Sequence, residues 1–287
     1  MAASIRDIKA RVVATKKTAQ ITKAMNMVSA SKLKGAQKST ESFRPYMQRV
    51  EEIISSVASG SEELIHPLFE ERQVNKTCYV LITCDRGLAG PFNGNVCKLL
   101  MSQIKDNDNY VVAPLGTKGY MYCNSRKLNL LSDDIFSLPD DVPFESILSL
   151  IDKLVSGYLE KKFDKVVLVY NHFVNTLKIE PSLKTILPIK KDFEENNKIN
   201  VSYEYDESVE SILDTILPLY LENLVYGIIL DSKASEHASR MTAMSNATDN
   251  AEEVISKLEL AYNRARQAAI TLELTDIIGG SNAINGG

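Results

Sequence analysis

SIRDIKARVVATKKTAQITKAMNMVSASKLKGAQKST, residues 4 to 40, is the stretch whose reading decides the fold. Stepping three and four residues alternately from Ile5 lands on Ile8, Val12, Thr15, Ala19, Thr22, Asn26, Ser29, Leu33, Ala36 and Thr40. The stripe runs on through Phe43, Met47, Val50, Ile54 and Val57. A sustained spacing of about 3.5 residues is a coiled-coil seam, and the small residues at its centre allow close backbone approach. Ser4 and Asp7 fit a capping box at its start. Pro45 predicts a kink or interruption, because its ring clashes with the preceding turn.

The other end of the chain reads the same way. From Ile228 through Ile278 there is neither glycine nor proline, and from Met1 through Arg44 only Gly35, so helix breakers are concentrated between the two ends. Asp206 is a candidate cap, Pro218 a second expected kink, and Ala251, Val254, Leu258, Ala261, Ala265, Ala268, Leu272 and Thr275 form a second expected seam. A helix this long with so narrow a stripe needs a partner. Charge selects it: residues 1–40 hold nine bases against one acid, and residues 206–278 thirteen acids against five bases. Opposite fields favour pairing of the two rods, and an antiparallel arrangement follows if both leave one side of a central domain. The basic helix lacks interleaved aromatics, which disfavours nucleic acid as its partner.

Between them, residues 77–205 alternate short apolar runs with amphipathic ones. Cys78–Thr83, Tyr110–Ala113 and Lys165–Tyr170 predict strands, Gly116–Arg126 and Phe144–Leu159 helices, and Leu177–Glu180 with Thr185–Ile189 an edge hairpin around Pro181 and Pro188. The fold class is α/β: a long antiparallel coiled coil of the N- and C-terminal helices plus a central Rossmann-like domain. The expected divisions are 1–60, 75–205 and 206–287.

The whole chain has 287 residues, 44% hydrophobic and 24% charged, with net charge −4, which excludes disordered and collagen-like classes. No uninterrupted apolar run approaches the roughly 20 residues of a membrane span, and the first residues carry no export or organelle signal. Cys78, Cys84, Cys97 and Cys123 show no metal-ligand spacing and read as reduced thiols. His66, His172 and His237 are scattered, and His237 reads as a solvated helix residue. Asp85-Arg-Gly-Leu-Ala-Gly-Pro-Phe-Asn93 follows a strand and precedes a helix, where an open α/β sheet places a phosphate-binding turn. It lacks the GxGxxG order, and Pro91 removes an amide, so Asp85, Gly87, Gly90 and Asn93 read as a structural turn. A nucleotide-binding α/β protein with a coiled-coil arm is the alternative reading. Arg264 to Glu273 place charged and amide groups beside an alanine seam, either a solvated helix face or a docking patch.

Ile21–Lys32, Asp85–Gly90 with Phe92-Asn93, Ser235–Asn250 and Tyr262–Thr271 together resemble the γ-subunit family of F-type ATP synthases, in order and from end to end. Gly280-Ser281 departs from the family's usual Gly-Ala, and the plastid regulatory insertion is missing between Lys190 and Tyr205. The resemblance implies a non-catalytic central-stalk rotor that couples proton flow through a membrane c-ring to ATP synthesis at β-subunit sites. It implies α, β and ε subunits and the c-ring as partners, no cofactor and no homo-oligomer, on the cytoplasmic face of a bacterial inner membrane. By the same resemblance, Arg266, Gln267, Thr271, Glu273, Met25 and Arg240 meet the β subunit, and Tyr203, Tyr205 and Glu207 lie near the c-ring and ε.

Overall fold

The computed structural model describes residues 4–59, 66–104, 109–190 and 209–285. The chain divides into two compact units, one of Met1–Val28 with Met241–Gly287 and the other of Ser29–Arg240. Helix α1, Ile5–Ser59, and helix α5, Val209–Asn285, contribute a segment to each. Pro45 and Pro218 lie inside these helices, and neither interrupts its helix.

The larger unit is built on a four-stranded sheet of β1 (Thr77–Ile82), β2 (Tyr110–Leu115), β3 (Lys165–Phe173) and β4 (Ile179–Leu187), in the order β2-β1-β3-β4. The first three strands are parallel and β4 runs antiparallel to β3. Successive side chains of a strand point to opposite faces. Thus Cys78, Val80 and Ile82 join one core with α4 (Glu145–Leu159) and α5, while Tyr79 and Leu81 join another with α2 (Phe92–Ile104) and α3 (Thr117–Ser125). Cover on both faces is why β1 is buried throughout and apolar from Cys78 onward.

The expected edge hairpin of two short strands is corrected: Ile179–Leu187 is one strand, and Pro181 sits within it opposite Asn171. β4 is the last strand of the sheet, where a residue without an amide proton is tolerated. By length and composition alone α5, over Ser211–Ser281, holds a window apolar enough to cross a bilayer, although its apolar run is interrupted by charged residues. Its apolar stretch has a different use in this unit: Leu213, Leu217, Leu221, Val225 and Ile229 are buried in the core beneath the sheet. The α1 segment packs there too, with Val50 and Ile54 in that core and Phe43 edge-on to Tyr226 at 5.4 Å.

In the smaller unit the helices are antiparallel. Asn26 Nδ2 donates to Met241 O at 2.8 Å, the Thr22 and Thr248 hydroxyls are 2.7 Å apart, and Lys16 meets Glu259 at 2.7 Å. Partner numbers rise on one helix as they fall on the other. The capping box closes, with Asp7 N donating to Ser4 Oγ at 3.2 Å and Ser4 N to Asp7 Oδ2 at 3.3 Å. Every position of the α1 stripe from Ile5 to Ile54 is buried or half-buried. On α5 three of the eight expected seam positions are displaced by one residue. Ala251, Leu258 and Ala265 face inward as expected, but Ile255, Tyr262 and Ala269 join them, and Val254, Ala261, Ala268, Leu272 and Thr275 are exposed. Four-then-three steps and three-then-four steps share every second position. The larger Ile255 and Tyr262 side chains take the inward places.

Candidate functional site

Open α/β sheets bind ligands beyond the carboxyl ends of their parallel strands, and here that edge is filled by the chain itself. Asp85, just past β1, accepts from Thr117 N at 2.8 Å and Thr117 Oγ1 at 3.0 Å on one oxygen. Its other oxygen accepts from Ser137 Oγ at 2.6 Å and Leu138 N at 2.8 Å. Burial opposes ionisation of Asp85, but these bonds outweigh it and hold the carboxyl below its ordinary range. Asn93 Oδ1 accepts from Cys84 N at 3.1 Å, tying the start of α2 back to the end of β1. Gly90 has φ of 54°, a left-handed setting that glycine adopts without strain, whereas Gly87 has open space where a Cβ would stand. Asp85, Gly87, Gly90 and Asn93 thus lie in one turn whose carboxylate and amide are engaged by the protein.

The same turn forms one wall of a collar around α5. Every residue from Ser232 to Arg240 is buried, so this part of the helix is enclosed on all sides. A helix buried all round is ordinarily apolar, yet this one carries Lys233, Glu236, His237 and Arg240. Each polar contact has a defined direction. Ser239 Oγ donates to Ala89 O at 2.6 Å and Ser235 Oγ to Asn171 O at 3.0 Å, while Asn171 Nδ2 donates to Phe92 O at 2.9 Å. Lys233 Nζ donates to Leu138 O at 2.6 Å and to Glu236 Oε2 at 2.9 Å, and Arg240 Nη2 donates to Glu236 Oε1 at 2.7 Å. His237 Nε2 lies 3.8 Å from Asp140 Oδ1, and Lys32 of α1 donates to Asp140 Oδ2.

The solvated setting expected for His237 is therefore corrected: it is 2% exposed. The small residues Ala234, Ser235, Ala238 and Ser239 around it let the turn and β3 approach closely. Burial, the largest influence, pushes the His237 ring below its ordinary value, although the Glu236 and Asp140 charges pull the other way. Arg240, expected at an interface, is buried on Glu236 within the chain, which leaves it little surface for a partner.

The other expected contact residues sit elsewhere. Arg266, Gln267, Thr271 and Glu273 are all exposed on successive turns of α5, with Thr271 Oγ1 donating to Gln267 O at 2.9 Å. From Ile270 to Ser281 every residue is exposed, including Ile270, Leu272, Leu274, Ile277 and Ile278. An apolar surface of this kind on a helix marks a place for a partner. Met25 is half-buried on α1. Tyr203, Tyr205 and Glu207, with the Asp206 cap, lie outside the described residues. Among the described residues no cluster of three or more His, Cys, Asp or Glu could hold a metal ion. Sequence reasoning found the Asp85 turn and the exposed helix end but missed the collar, whose local signal was the small-residue run around His237.

Comparison with known proteins covers the chain almost completely. The family model described as ATP synthase matches residues 4–284. The ATP synthase gamma chain of Macrococcus caseolyticus is 44% identical over 98% of this chain and 99% of its own. Among solved structures, the central stalk and c-ring of the Tetrahymena thermophila mitochondrial ATP synthase matches with TM-score 0.59 and 26% identity, over 79% of this chain and 99% of that one. A chain of the Euglena gracilis mitochondrial ATP synthase shares the fold at TM-score 0.71 and 20% identity, over 99% of this chain and 95% of that one. Motifs, architecture and an end-to-end family match agree: the chain belongs to the ATP synthase gamma-chain family.

Proposed function

We propose that the chain is the central-stalk rotor of a membrane-associated F-type ATP synthase. It couples proton flow through the c-ring to ATP synthesis or hydrolysis at the β-subunit sites of an α3β3 hexamer, with no catalytic group of its own. The observation that carries this reading is the bare end of α5: polar Arg266, Gln267, Thr271 and Glu273 interleaved with exposed Ile270, Leu274 and Ile277. Such a surface is costly to leave in water and suits a sleeve of other subunits. Arg266 and Gln267 meet a β-subunit loop, with Thr271 and Glu273 beside them. Met25, half-buried on α1, and Arg240, 9% exposed beside Glu236, are the two further β-subunit contact residues. Tyr203, Tyr205 and Glu207 belong with the c-ring and ε contact. The working location is the cytoplasmic face of a bacterial inner membrane.

A shaft can bias three chemically equal sites only if it contacts them unequally. A rod made of one basic and one acidic helix, ending in a single helix, supplies that inequality. The nucleotide-binding alternative loses ground because Asp85 and Asn93 are engaged internally. The test is reconstitution of the complex in vesicles with Arg266→Ala and Gln267→Ala together. Lower ATP-driven proton uptake with an intact fold supports the docking patch, and unchanged uptake refutes it.

A further inference from the structure

We propose that the segment Ser137–Asp140 is a strap that locks α5 to the sheet, so that helix and sheet turn as one body, and that Asp140 is its positioning residue. The inference rests on the rotor reading above. The strap is held from three elements at once. The turn after β1 holds its start, through Ser137 Oγ and Leu138 N on Asp85 Oδ2 at 2.6 and 2.8 Å. α5 holds its middle, through Lys233 Nζ on Leu138 O at 2.6 Å. α1 and α5 together hold its end, where Asp140 accepts from Lys32 and faces His237 Nε2 at 3.8 Å. The Leu138 side chain is itself 3% exposed, in the core.

Directed bonds do here what apolar packing cannot. Turning α5 by one residue about its axis, about 100°, would take Lys233 from Leu138 O, Ser235 from Asn171 O and Ser239 from Ala89 O and part His237 from Asp140, while the Lys233–Glu236–Arg240 bonds turn with the helix. A buried donor adds little net stability while it is bonded but is strongly unfavourable to leave without its acceptor. It is a device that selects one rotational setting. Apolar side chains alone would resist sliding far less, because one aliphatic contact replaces another. A rotor subunit needs this resistance wherever torque passes between a helix and a globular body. Asp140 is the outermost member, its side chain 31% exposed, so its charge can be removed while Lys233, Glu236 and the core stay in place.

The experiment uses the full complex reconstituted in vesicles, with ATP hydrolysis and ATP-driven proton uptake measured in one sample. Amide exchange at Leu138 and Asp140 is read in the same complex. Uptake by the unmodified complex tests the rotor reading by itself: if it is missing, that reading fails whatever the variants do. With uptake present, Asp140→Ala is expected to speed exchange at Leu138 and Asp140 about fivefold, the factor for losing one half-exposed ion pair. It should also lower protons moved per ATP, with hydrolysis retained, and Asp140→Glu should restore the ratio. Should Asp140→Ala fail to assemble, Lys32→Ala removes the same pair from the other side and is read by the same criteria. Faster exchange with an unchanged ratio, unchanged exchange, or failure of Asp140→Glu to restore coupling would each overturn the proposal.

Discussion

Replacing Glu236 by alanine removes the one buried acid among the described residues of α5 and takes its carboxylate from both Lys233 and Arg240. Lys233, Glu236 and Arg240 are 4%, 3% and 9% exposed, so solvent cannot take over the lost partner. Breaking a buried pair by removing one member costs about 3–5 kcal/mol, against about 0–1 kcal/mol for an exposed pair. At a urea dependence of about 2 kcal/mol per molar, the unfolding midpoint falls by roughly 1.5–2.5 M. The chain contains no tryptophan, so circular dichroism or tyrosine emission is the signal. Glu236→Gln keeps an acceptor oxygen and the volume, and should lose about 1–3 kcal/mol. A loss below about 1 kcal/mol for Glu236→Ala would mean the cluster is hydrated in solution, and the enclosure of α5 would be refuted.

Three further outcomes follow from the same geometry. Burial above all lowers the His237 pKa below its ordinary value, so the unfolded ring takes up a proton before the folded one does. Stability should therefore fall as pH drops below about 6.5, His237→Gln should flatten that fall, and a urea midpoint independent of pH would contradict it. Gly116 has φ of 87° and a Cβ there would stand 2.4 Å from Thr83 O, whereas nothing lies within 4 Å of a Cβ at Gly35. Gly116→Ala should destabilise by about 1–3 kcal/mol and Gly35→Ala stabilise by about 0.5–1 kcal/mol, as read by thermal melts. Thr22→Cys with Thr248→Cys should oxidise readily to a disulfide, since the two hydroxyls are 2.7 Å apart. A double variant that stays reduced under mild oxidant would contradict the antiparallel register.

Much of the fold was legible because single-helix periodicity and strand composition are local properties. The α1 stripe could be read position by position, and β1, β2 and β3 announced themselves as short apolar runs. The α5 seam was half legible. Apolar residues stand at both 254 and 255, and at both 261 and 262, so only the partner helix decides which of each pair turns inward. β4 was split at Pro181 because a proline reads as a turn until the strand is known to be an edge. The collar was hidden for a different reason. Lys233 meets a carbonyl 95 residues away and Lys32 a carboxylate 108 residues away, and no local pattern records such pairings. The residues proposed to dock were named through resemblance, and their exposure on a bare helix end is what the structure adds.

The central claim is that this chain turns inside its complex. All four native thiols are buried, with Cys78 and Cys97 pushed up to about 12 and Cys123 to about 11, so a cysteine placed at the 57%-exposed Met121 is the reactive one. A bead attached there, on a complex fixed to a surface through its hexamer, should revolve in one direction on addition of ATP. A bead that stays fixed while the same complex hydrolyses ATP would contradict the account.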